Sequence, residues 1–450
     1  MVEHDTHVSE NGHDGGMNRR RFLTTAGAGA TLASTAGCIG NPLGGGGGVT
    51  FGGVYLLSGL AEALGSASEA SAQLAVDYVN ENGGINGEDA EIIFRDHADS
   101  GAASQIQSLV QQENVDALIG LTSSGETLEA APTIRDLGVP MILTDIGTPY
   151  VTEPDTETYG SYFESENGKS AYVEPMFRTN ANTSPNTYAM ARYAVEELEG
   201  IETVANIGPN YAYGTQCWDY FKAYADALGG EFEYVESVFP DLGASNMTPQ
   251  INQVLNADPD LVFTSFWAGD AVTFVQQASE QGLFEQVDDV FDTLGADPTV
   301  FKALGDTMPE GVHYSSWYWH SAFDNEQNSS YLDYYQSAYE GTDTIGVPSF
   351  TGASTWSAIR LYKRAIENSG GTEPDGIIGE LEGATFNGPR GEWTLDADSH
   401  QATAPTVIGE TSSDDDVPYE GVGLSPSRTY SLDRSTAADL LGDSGLPPGV

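Results

Sequence analysis

Short apolar runs alternate with amphipathic helical stretches along most of this 450-residue chain, and few folds accommodate such a pattern. The first series begins with an apolar run over 49–57 and a helical pattern over 65–82, and it reaches a fourth apolar run at 139–144. Strands and helices that alternate in this way build a parallel sheet covered by helices. We therefore expect a doubly wound α/β lobe in this part of the chain.

A second series of the same kind runs from 187 to 294 and predicts a second, similar lobe. The chain is long enough for two well-buried cores. Two stretches lie outside this pattern. Residues 155–172 have no clear period, which indicates an inserted surface loop, and residues 412–450 are rich in Asp, Ser, Gly and Pro. We assign this acidic C-terminal extension no fold beyond a short helix at 436–441.

The charge balance is strongly acidic, with 67 Asp and Glu residues against 16 Lys and Arg and a formal net charge of −51. Such a chain is not a nucleic-acid binder. Because the acidic residues are spread along the sequence, the charge is interpreted as a property of the whole folded surface. Self-repulsion of this size is tolerated where salt near 1 M shortens the screening length to about 3 Å. The composition therefore predicts a halophile, and we expect an archaeon.

The N-terminal segment 18–40 reads NRRRFLTTAGAGATLASTAGCIG, with arginines ahead of a weakly apolar run that ends in small residues and Cys38. This order resembles a twin-arginine export signal joined to a lipobox, and it predicts lipidation of Cys38. Met17 directly precedes the signal and is interpreted as the true start, after a disordered extension over 1–16. The Gly-rich run 44–48 would be a tether. We therefore expect a protein anchored by lipid on the extracellular face of the cell membrane.

The stretch 116–127 reads DALIGLTSSGET, in which an apolar run breaks into a small polar turn before a helical pattern begins at Glu126. The first N–H groups of a helix have no intrahelical acceptor and lie at the positive end of its dipole. Such a turn can hold an anion, for example a carboxylate, without a metal or an arginine. Ser124 can equally be a helix N-cap. This stretch alone leaves both interpretations open.

Five stretches, in order and well spaced, resemble the extracytoplasmic substrate-binding proteins of branched-chain amino-acid ABC transporters, the leucine/isoleucine/valine-binding family. They are VYLLSG at 54–59, VNENGGINGEDAEIIFRDHADS at 79–100, IGLTSSGETLEAAPTIRDLGVPMI at 119–142, YAYGTQ at 211–216 and FNGPRGEWTLD at 386–396. The resemblance covers roughly 49–408. It implies the periplasmic-binding-protein type I fold, with two lobes that close on a ligand by hinge rotation.

The resemblance also implies how the chain divides between the lobes. Residues 1–48 would precede the fold, and three crossovers would lie near 178–180, 312–317 and 386–392. Lobe I would comprise 49–178 and 318–386, and lobe II 179–317 and 387–411, followed by the extension 412–450.

Transferred by position, the resemblance implies a set of ligand-binding residues. The turn that holds the ligand carboxylate falls on Thr122, Ser123 and Ser124, and a threonine beside the ammonium group falls on Thr148. Aromatic contacts from the second lobe fall on Tyr213 and Trp267. The acidic partner of the ammonium falls within 291–297, where we choose Asp292 over Asp297, and side-chain contacts fall near Leu64 and Phe350.

The sequence departs from the family at positions that affect the ligand. Trp267 replaces a tyrosine, and Ser123 and His97 stand where some members have a disulfide. Asp145 occupies a strand end where small residues are usual. It either faces the cleft as an additional contact for an ammonium or amide group, or caps the following turn, and both readings stay open.

No residue pattern predicts catalysis or a metal site. His313 and His320 lack further ligands at metal-binding spacing, and the mature chain contains no GxSxG, HExxH or Walker sequence. Cys217 has no activating neighbour in the sequence and no partner for a disulfide framework. We therefore expect no cofactor and no enzyme activity.

The sequence favours a lipid-anchored receptor that delivers an aliphatic amino acid to an ABC permease, and its expected partners are that permease and, through it, the ATPase subunits. Alternatives are a receptor of the same family for urea or a short amide, and a ligand-sensing module for a signalling partner. An enzyme on the same scaffold is a further alternative, but it lacks a visible nucleophile or acid–base pair.

Overall fold

The computed structural model describes residues 48–152, 174–342, 344–413 and 417–442. The predicted export signal with Met17 and Cys38, most of the Gly-rich tether and the inserted loop 155–172 lie outside these residues. What the sequence indicates for those segments stays a prediction.

Five parallel strands form the first sheet, and their order in the sheet is β2-β1-β3-β4-β5. In chain order they are β1 (Thr50–Tyr55), β2 (Glu91–Asp96), β3 (Ala117–Gly120), β4 (Met141–Leu143) and β5 (Met176–Arg178). Side chains alternate between the faces of a strand, so Phe51 and Val54 of β1 enter separate apolar clusters on opposite sides of this sheet.

The second sheet contains five strands from the second βα series: β6 (Thr203–Ile207), β7 (Glu233–Val238), β8 (Leu261–Thr264), β9 (Asp289–Asp292) and β10 (His313–Ser316). These five are parallel to one another. Later in the chain come a hairpin, β11 (Thr385–Gly388) and β12 (Gly391–Thr394), and two edge strands, β13 (Thr406–Ser412) and β14 (Gly423–Tyr430). The sheet order is β14-β13-β10-β9-β8-β6-β7, in which β13 runs antiparallel to both of its neighbours, β10 and β14.

Helices cover both sheets, which confirms the predicted doubly wound α/β architecture. Those of the first sheet, which we call the first lobe, are α1 (Glu62–Glu81), α2 (Ala102–Ser108) and α3 (Ser124–Leu137). Those of the second lobe are α4 (Thr183–Glu197), α5 (Ala212–Ala227), α6 (Thr248–Asn256), α7 (Ala268–Glu280), α8 (Leu283–Gln286) and α9 (Pro298–Leu304). The chain then returns to the first lobe with α10 (Glu326–Tyr339), α11 (Gly352–Ser369) and α12 (Pro374–Leu381), and α13 (Arg434–Leu441) packs beside α5.

The third crossover lies later in the chain than the expected 386–392. FNGPRGEW folds back on itself as the β11–β12 hairpin, because Gly391 adopts a φ of 81° that permits the tight turn. Phe386 and Trp393 pack into the apolar cluster of the first lobe, so the hairpin belongs there. Beyond it, Ala402 N–H donates to the carbonyl of Arg178, which places the last passage between lobes beside the first.

The C-terminal extension is more ordered than the sequence indicates. Strand β14 pairs with β13 from Ser412 to Thr406, and Leu424 and Tyr430 are buried. The polar composition of this stretch does not indicate a strand, because only one face of the strand packs against the core.

Candidate functional site

The two sheets direct the carboxyl ends of their strands toward one another. In the first lobe, Thr122 follows β3 and Asp145 follows β4, whereas in the second lobe Trp267 follows β8 and Leu294 follows β9. Ligands of open α/β sheets bind beyond these strand ends.

Between the strand ends lies a small cavity with about 260 Å³ of space not filled by atoms. That figure includes space open to solvent, and the centre of a water-sized sphere can occupy only about 20 Å³ of it, which is room for about one water molecule. It is lined by residues of both lobes: Leu64, Thr122, Ser124, Asp145, Gly147, Tyr211, Tyr213, Trp267, Leu294, Trp317 and Phe350.

Most of the predicted site residues therefore meet in one place, whereas Ser123, Thr148 and Asp292 do not line the cavity. The lining also includes residues that sequence reasoning missed, namely Gly147, Tyr211, Leu294 and Trp317. Each of these residues lies within a few residues of a strand end, so its position in the sequence could have identified it as a candidate. At Gly147 any side chain would collide with the Tyr213 ring, since a Cβ atom there would lie 2.4 Å from Cδ2.

In the turn before α3, helix capping and cavity lining belong to two neighbouring serines. Ser123, rather than Ser124, is the N-cap of α3, since its Oγ accepts from Glu126 N–H at 3.4 Å. Ser124 is the first helical residue, and its Oγ accepts from Thr148 N–H at 3.1 Å. The Ser124 hydroxyl hydrogen and the first N–H groups of α3 remain suited to an anion in the cavity.

Asp145 faces the cavity, which favours the first of its two sequence interpretations. The residue is 4% exposed, and its Oδ2 has no hydrogen-bond partner among the described residues. Burial raises the pKa of this carboxyl well above its ordinary value, a hydrogen bond with Thr122 lowers it, and the charge of Asp297 raises it again. A cationic or N–H-bearing ligand group would satisfy Oδ2 and favour the ionised form.

The carboxylates of the other two acidic candidates, Asp292 and Asp297, accept hydrogen bonds from groups of the protein itself. Asp292 Oδ1 accepts from Leu294 N–H at 2.9 Å and from Gly295 N–H at 2.5 Å, and burial raises its pKa to about 7. Asp297 caps α9 through Thr299 N–H at 2.8 Å. Its second oxygen accepts from Ser349 Oγ–H and, at 3.1 Å, from Phe350 N–H in the loop before α11. Asp297 therefore joins the lobes near the cavity.

Thr148 has a local role as well, because its Oγ1 accepts from Tyr150 N–H at 3.4 Å and caps a short turn. Its contact with the site is the backbone N–H, which donates to Ser124 Oγ.

Hydrogen bonds fix the aromatic wall from the second lobe. Trp267 Nε1–H donates to Tyr211 Oη at 2.9 Å, and Tyr213 Oη shares a hydrogen bond with Thr293 Oγ1 at 2.9 Å. Across the cavity, the rings of Trp317 and Phe350 pack edge to face at 5.2 Å. Rings held in this way offer an apolar surface of fixed shape to a ligand.

Cys217, in α5 of the second lobe, is a free and buried cysteine. Burial raises the pKa of the Cys217 thiol to about 12, which disfavours the nucleophilic thiolate. Within the described ranges, no group of His, Cys, Asp and Glu side chains is arranged to hold a metal ion. The same residues contain no helix that is both long and apolar enough to span a bilayer.

Comparison with known proteins identifies relatives over nearly all of the described chain. The family model for periplasmic binding proteins matches residues 48–416. A Leu/Ile/Val-binding protein homolog of Brucella melitensis is 24% identical and aligns over 73% of this chain and 82% of its own. A second homolog, from Brucella abortus, is 23% identical over 93% of this chain and 97% of its own.

Solved structures show the same fold at low sequence identity. A leucine-binding protein of Thermotoga maritima superposes with a TM-score of 0.69 at 21% identity, covering 85% of this chain and 98% of its own. An ABC-transporter solute-binding protein of R. palustris, in complex with 4-hydroxybenzoate, gives a TM-score of 0.70 at 20% identity over 85% and 97%.

Proposed function

We propose that this chain, which belongs to the periplasmic binding protein family of ABC-transporter substrate receptors, binds an aliphatic amino acid between its lobes and delivers it to the permease. The observation that carries the proposal is the buried carboxyl of Asp145, whose Oδ2 is unpartnered and faces the cavity. An ammonium group is the ligand group that best matches a buried carboxylate.

The opposite charge of an amino acid has a matching site beside Asp145. Ser124, at the first position of α3, supplies a hydroxyl and a backbone N–H, and the helix dipole adds to their attraction for a carboxylate. Leu64, Leu294 and the aromatic rings then surround an apolar side chain.

A short amide or urea is the second candidate, and one observation favours it. Among the residues that the structure describes, no Arg or Lys side chain lines the cavity, so the partners that these residues offer the carboxylate of an amino acid are the helix terminus and hydroxyls. A neutral amide needs no cation, and its N–H groups would donate to Asp145.

The proposal includes export by the twin-arginine route and a lipid anchor at Cys38, on the extracellular face of a haloarchaeal membrane. The residues around 18–40 support the export signal and the lipobox, and the net charge of −51 supports a high-salt environment. The partner that receives the solute would be the permease of the importer, which in turn works with the ATPase subunits.

A thermal-shift panel in multimolar KCl tests the proposal with aliphatic amino acids in one arm and urea and short amides in the other. A true ligand at 100 times its Kd adds about 2.7 kcal/mol to the free energy of unfolding, which is readily seen as a higher Tm. Stabilisation by an aliphatic amino acid supports the leading proposal, and stabilisation by amides alone supports the second candidate. If neither class raises the Tm, both assignments fail.

A further inference from the structure

A basic pocket lies on the first lobe, between the C-terminal halves of α1 and α11 and the strand β11. Its cations are Arg360, Lys363 and Arg364, all from α11, and Glu367 is the acidic residue in its wall. Three cations within five residues are unexpected in a chain with 67 acidic and 16 basic residues. Since the surroundings are strongly acidic, a local positive site needs an explanation beyond average surface composition.

Existing contacts occupy only part of the donor capacity of these side chains. Arg360 Nη1–H donates to Gln327 Oε1 at 3.3 Å, and Arg364 Nη1–H donates to the carbonyl of Thr385. Lys363 Nζ–H donates to the carbonyl of Gly84 at 2.6 Å and forms an ion pair with Glu367. A guanidinium carries five N–H donors, so both arginines keep donors for a ligand.

The pocket is also held in shape by packing. The Arg360 guanidinium lies over the rings of Tyr78, Trp356 and Phe386, at 5.7, 5.8 and 5.6 Å from their centroids. Burial lowers the pKa of Arg360, a cost that an anionic ligand would offset. Planar guanidinium groups fixed in this way match the oxygens of phosphate, to which arginine commonly makes paired hydrogen bonds.

The pocket lies far from the solute cavity and near the start of the described chain. Phe350, just before α11, lines the solute cavity, and Arg364 follows about 20 Å further along the helix at 1.5 Å per residue. Gly84, which Lys363 contacts, belongs to the turn that leads to Asp89, and Gly48 packs against the Asp89 carbonyl. Residue 48 is ten positions after Cys38, so the tether can span at most about 35 Å.

We propose that this basic pocket binds a phosphate group, and that its source is the headgroup of an anionic membrane lipid. The chemistry is read from Arg360, Lys363 and Arg364 themselves, and only the lipid source rests on the proposed anchor at Cys38. Charge-assisted hydrogen bonds span about 2.7 to 2.9 Å, close to the screening length of about 3 Å at 1 M salt, so high salt weakens them but does not abolish them.

Vesicle flotation in 1 M KCl tests the proposal with the full chain carrying Cys38→Ser, which removes the lipid attachment site. Vesicles of phosphatidylglycerol are compared with vesicles of phosphatidylcholine, and thermal shifts with inorganic phosphate and glycerol phosphate form a second arm. The test variant is Lys363→Gln/Arg364→Gln, which spares the packed Arg360. The control is Arg428→Gln, which removes an exposed cation that pairs with Glu197 on the second lobe.

We expect at least tenfold more protein to float with phosphatidylglycerol, and we expect the double variant, but not the control, to lose this binding. A thermal shift with the phosphate compounds but no flotation would keep the phosphate site and assign it to a soluble source. Absence of both signals, or flotation that the double variant retains, would overturn the proposal. Melting temperatures without any ligand establish that the variants are folded, and the response to amino acids is scored separately, so failure here is distinct from failure of the solute receptor.

Discussion

At the residue scale, three carboxyl groups near the cleft differ in their hydrogen-bond partners although their sequence contexts are similar. Asp145 keeps an unpartnered oxygen toward the solute cavity, whereas Asp292 and Asp297 are bound by backbone N–H groups of the residues that follow them. Which group is available to a ligand depends on the local turn, because a carboxylate that caps its own turn has fewer lone pairs to offer. The ligand assignment therefore rests on Asp145.

Asp292 gives a prediction about the pH dependence of stability. Its pKa is raised from 3.8 to about 7 in the folded chain, so the folded state holds the proton more tightly than the unfolded state does. The associated stabilisation is complete below pH 4 and disappears as the pH rises to 7. We expect Asp292→Asn to flatten this decline and to raise the Tm of the ligand-free chain at pH 7.5 relative to wild type.

Asp260 provides a control of opposite sign for this experiment. Backbone hydrogen bonds from Glu202 and Thr203 lower its pKa, so its stabilisation is present at neutral pH and disappears as the pH falls. Asp260→Asn should therefore lower the Tm at neutral pH and have less effect in acid. Identical pH profiles for the two variants would contradict this account of both groups.

The adjacent serines allow capping to be separated from ligand binding. Ser123→Ala should cost about 1 kcal/mol of stability through the lost N-cap and leave solute affinity nearly unchanged. Ser124→Ala should lower affinity about tenfold, because it removes a hydroxyl from the cavity wall and about 1.4 kcal/mol corresponds to tenfold. Urea unfolding and calorimetric titration measure the two effects, and equal losses of affinity would contradict the division of roles.

At the element scale, the loop before α11 and the N-terminus of α9 form a contact between lobes. Ser349 and Phe350 donate to one oxygen of Asp297, while Thr299 donates to the other oxygen from within the second lobe. The contact forms only when the lobes are together, so it favours the closed arrangement over an open one.

Removal of this contact should shift the chain toward an open form. We expect Ser349→Ala to increase the radius of gyration of the ligand-free protein in small-angle scattering and to weaken solute binding by up to about 150-fold, since hydrogen bonds to charged groups contribute about 1.5 to 3 kcal/mol and about 1.4 kcal/mol corresponds to tenfold. Thr299→Val removes a bond to the same carboxylate without crossing between lobes. An equal change in both variants would indicate a loss of local stability instead of lobe opening.

The βα alternation predicted both sheets and the strand ends at which ligand residues lie, because periodicity reports burial directly. It did not predict that FNGPRGEW is a hairpin, since the same glycines suit a crossover and a tight turn. It also could not tell whether the side chain of Asp292 points to a ligand or to its own turn. The sequence did not predict strand β14, because residues of its polar face dominate its composition.

At the scale of the whole molecule, the net charge of −51 and the two-lobed architecture determine the conditions under which function can be measured. Self-repulsion among acidic groups opposes the compact state, and salt screens it. We expect the Tm to rise as KCl increases from 0.1 to 2 M. A Tm that stays constant over this range would contradict the halophilic interpretation.

In our proposal, the cavity between the lobes holds a small solute through Asp145. Calorimetric titration in 2 M KCl, with the solute that stabilises the protein most, measures this binding. We expect one site per chain in the wild type, and a loss of about 2 kcal/mol or more, near 30-fold in Kd, for Asp145→Asn but not for Ser123→Ala. Unchanged affinity in Asp145→Asn would contradict the assignment of the site.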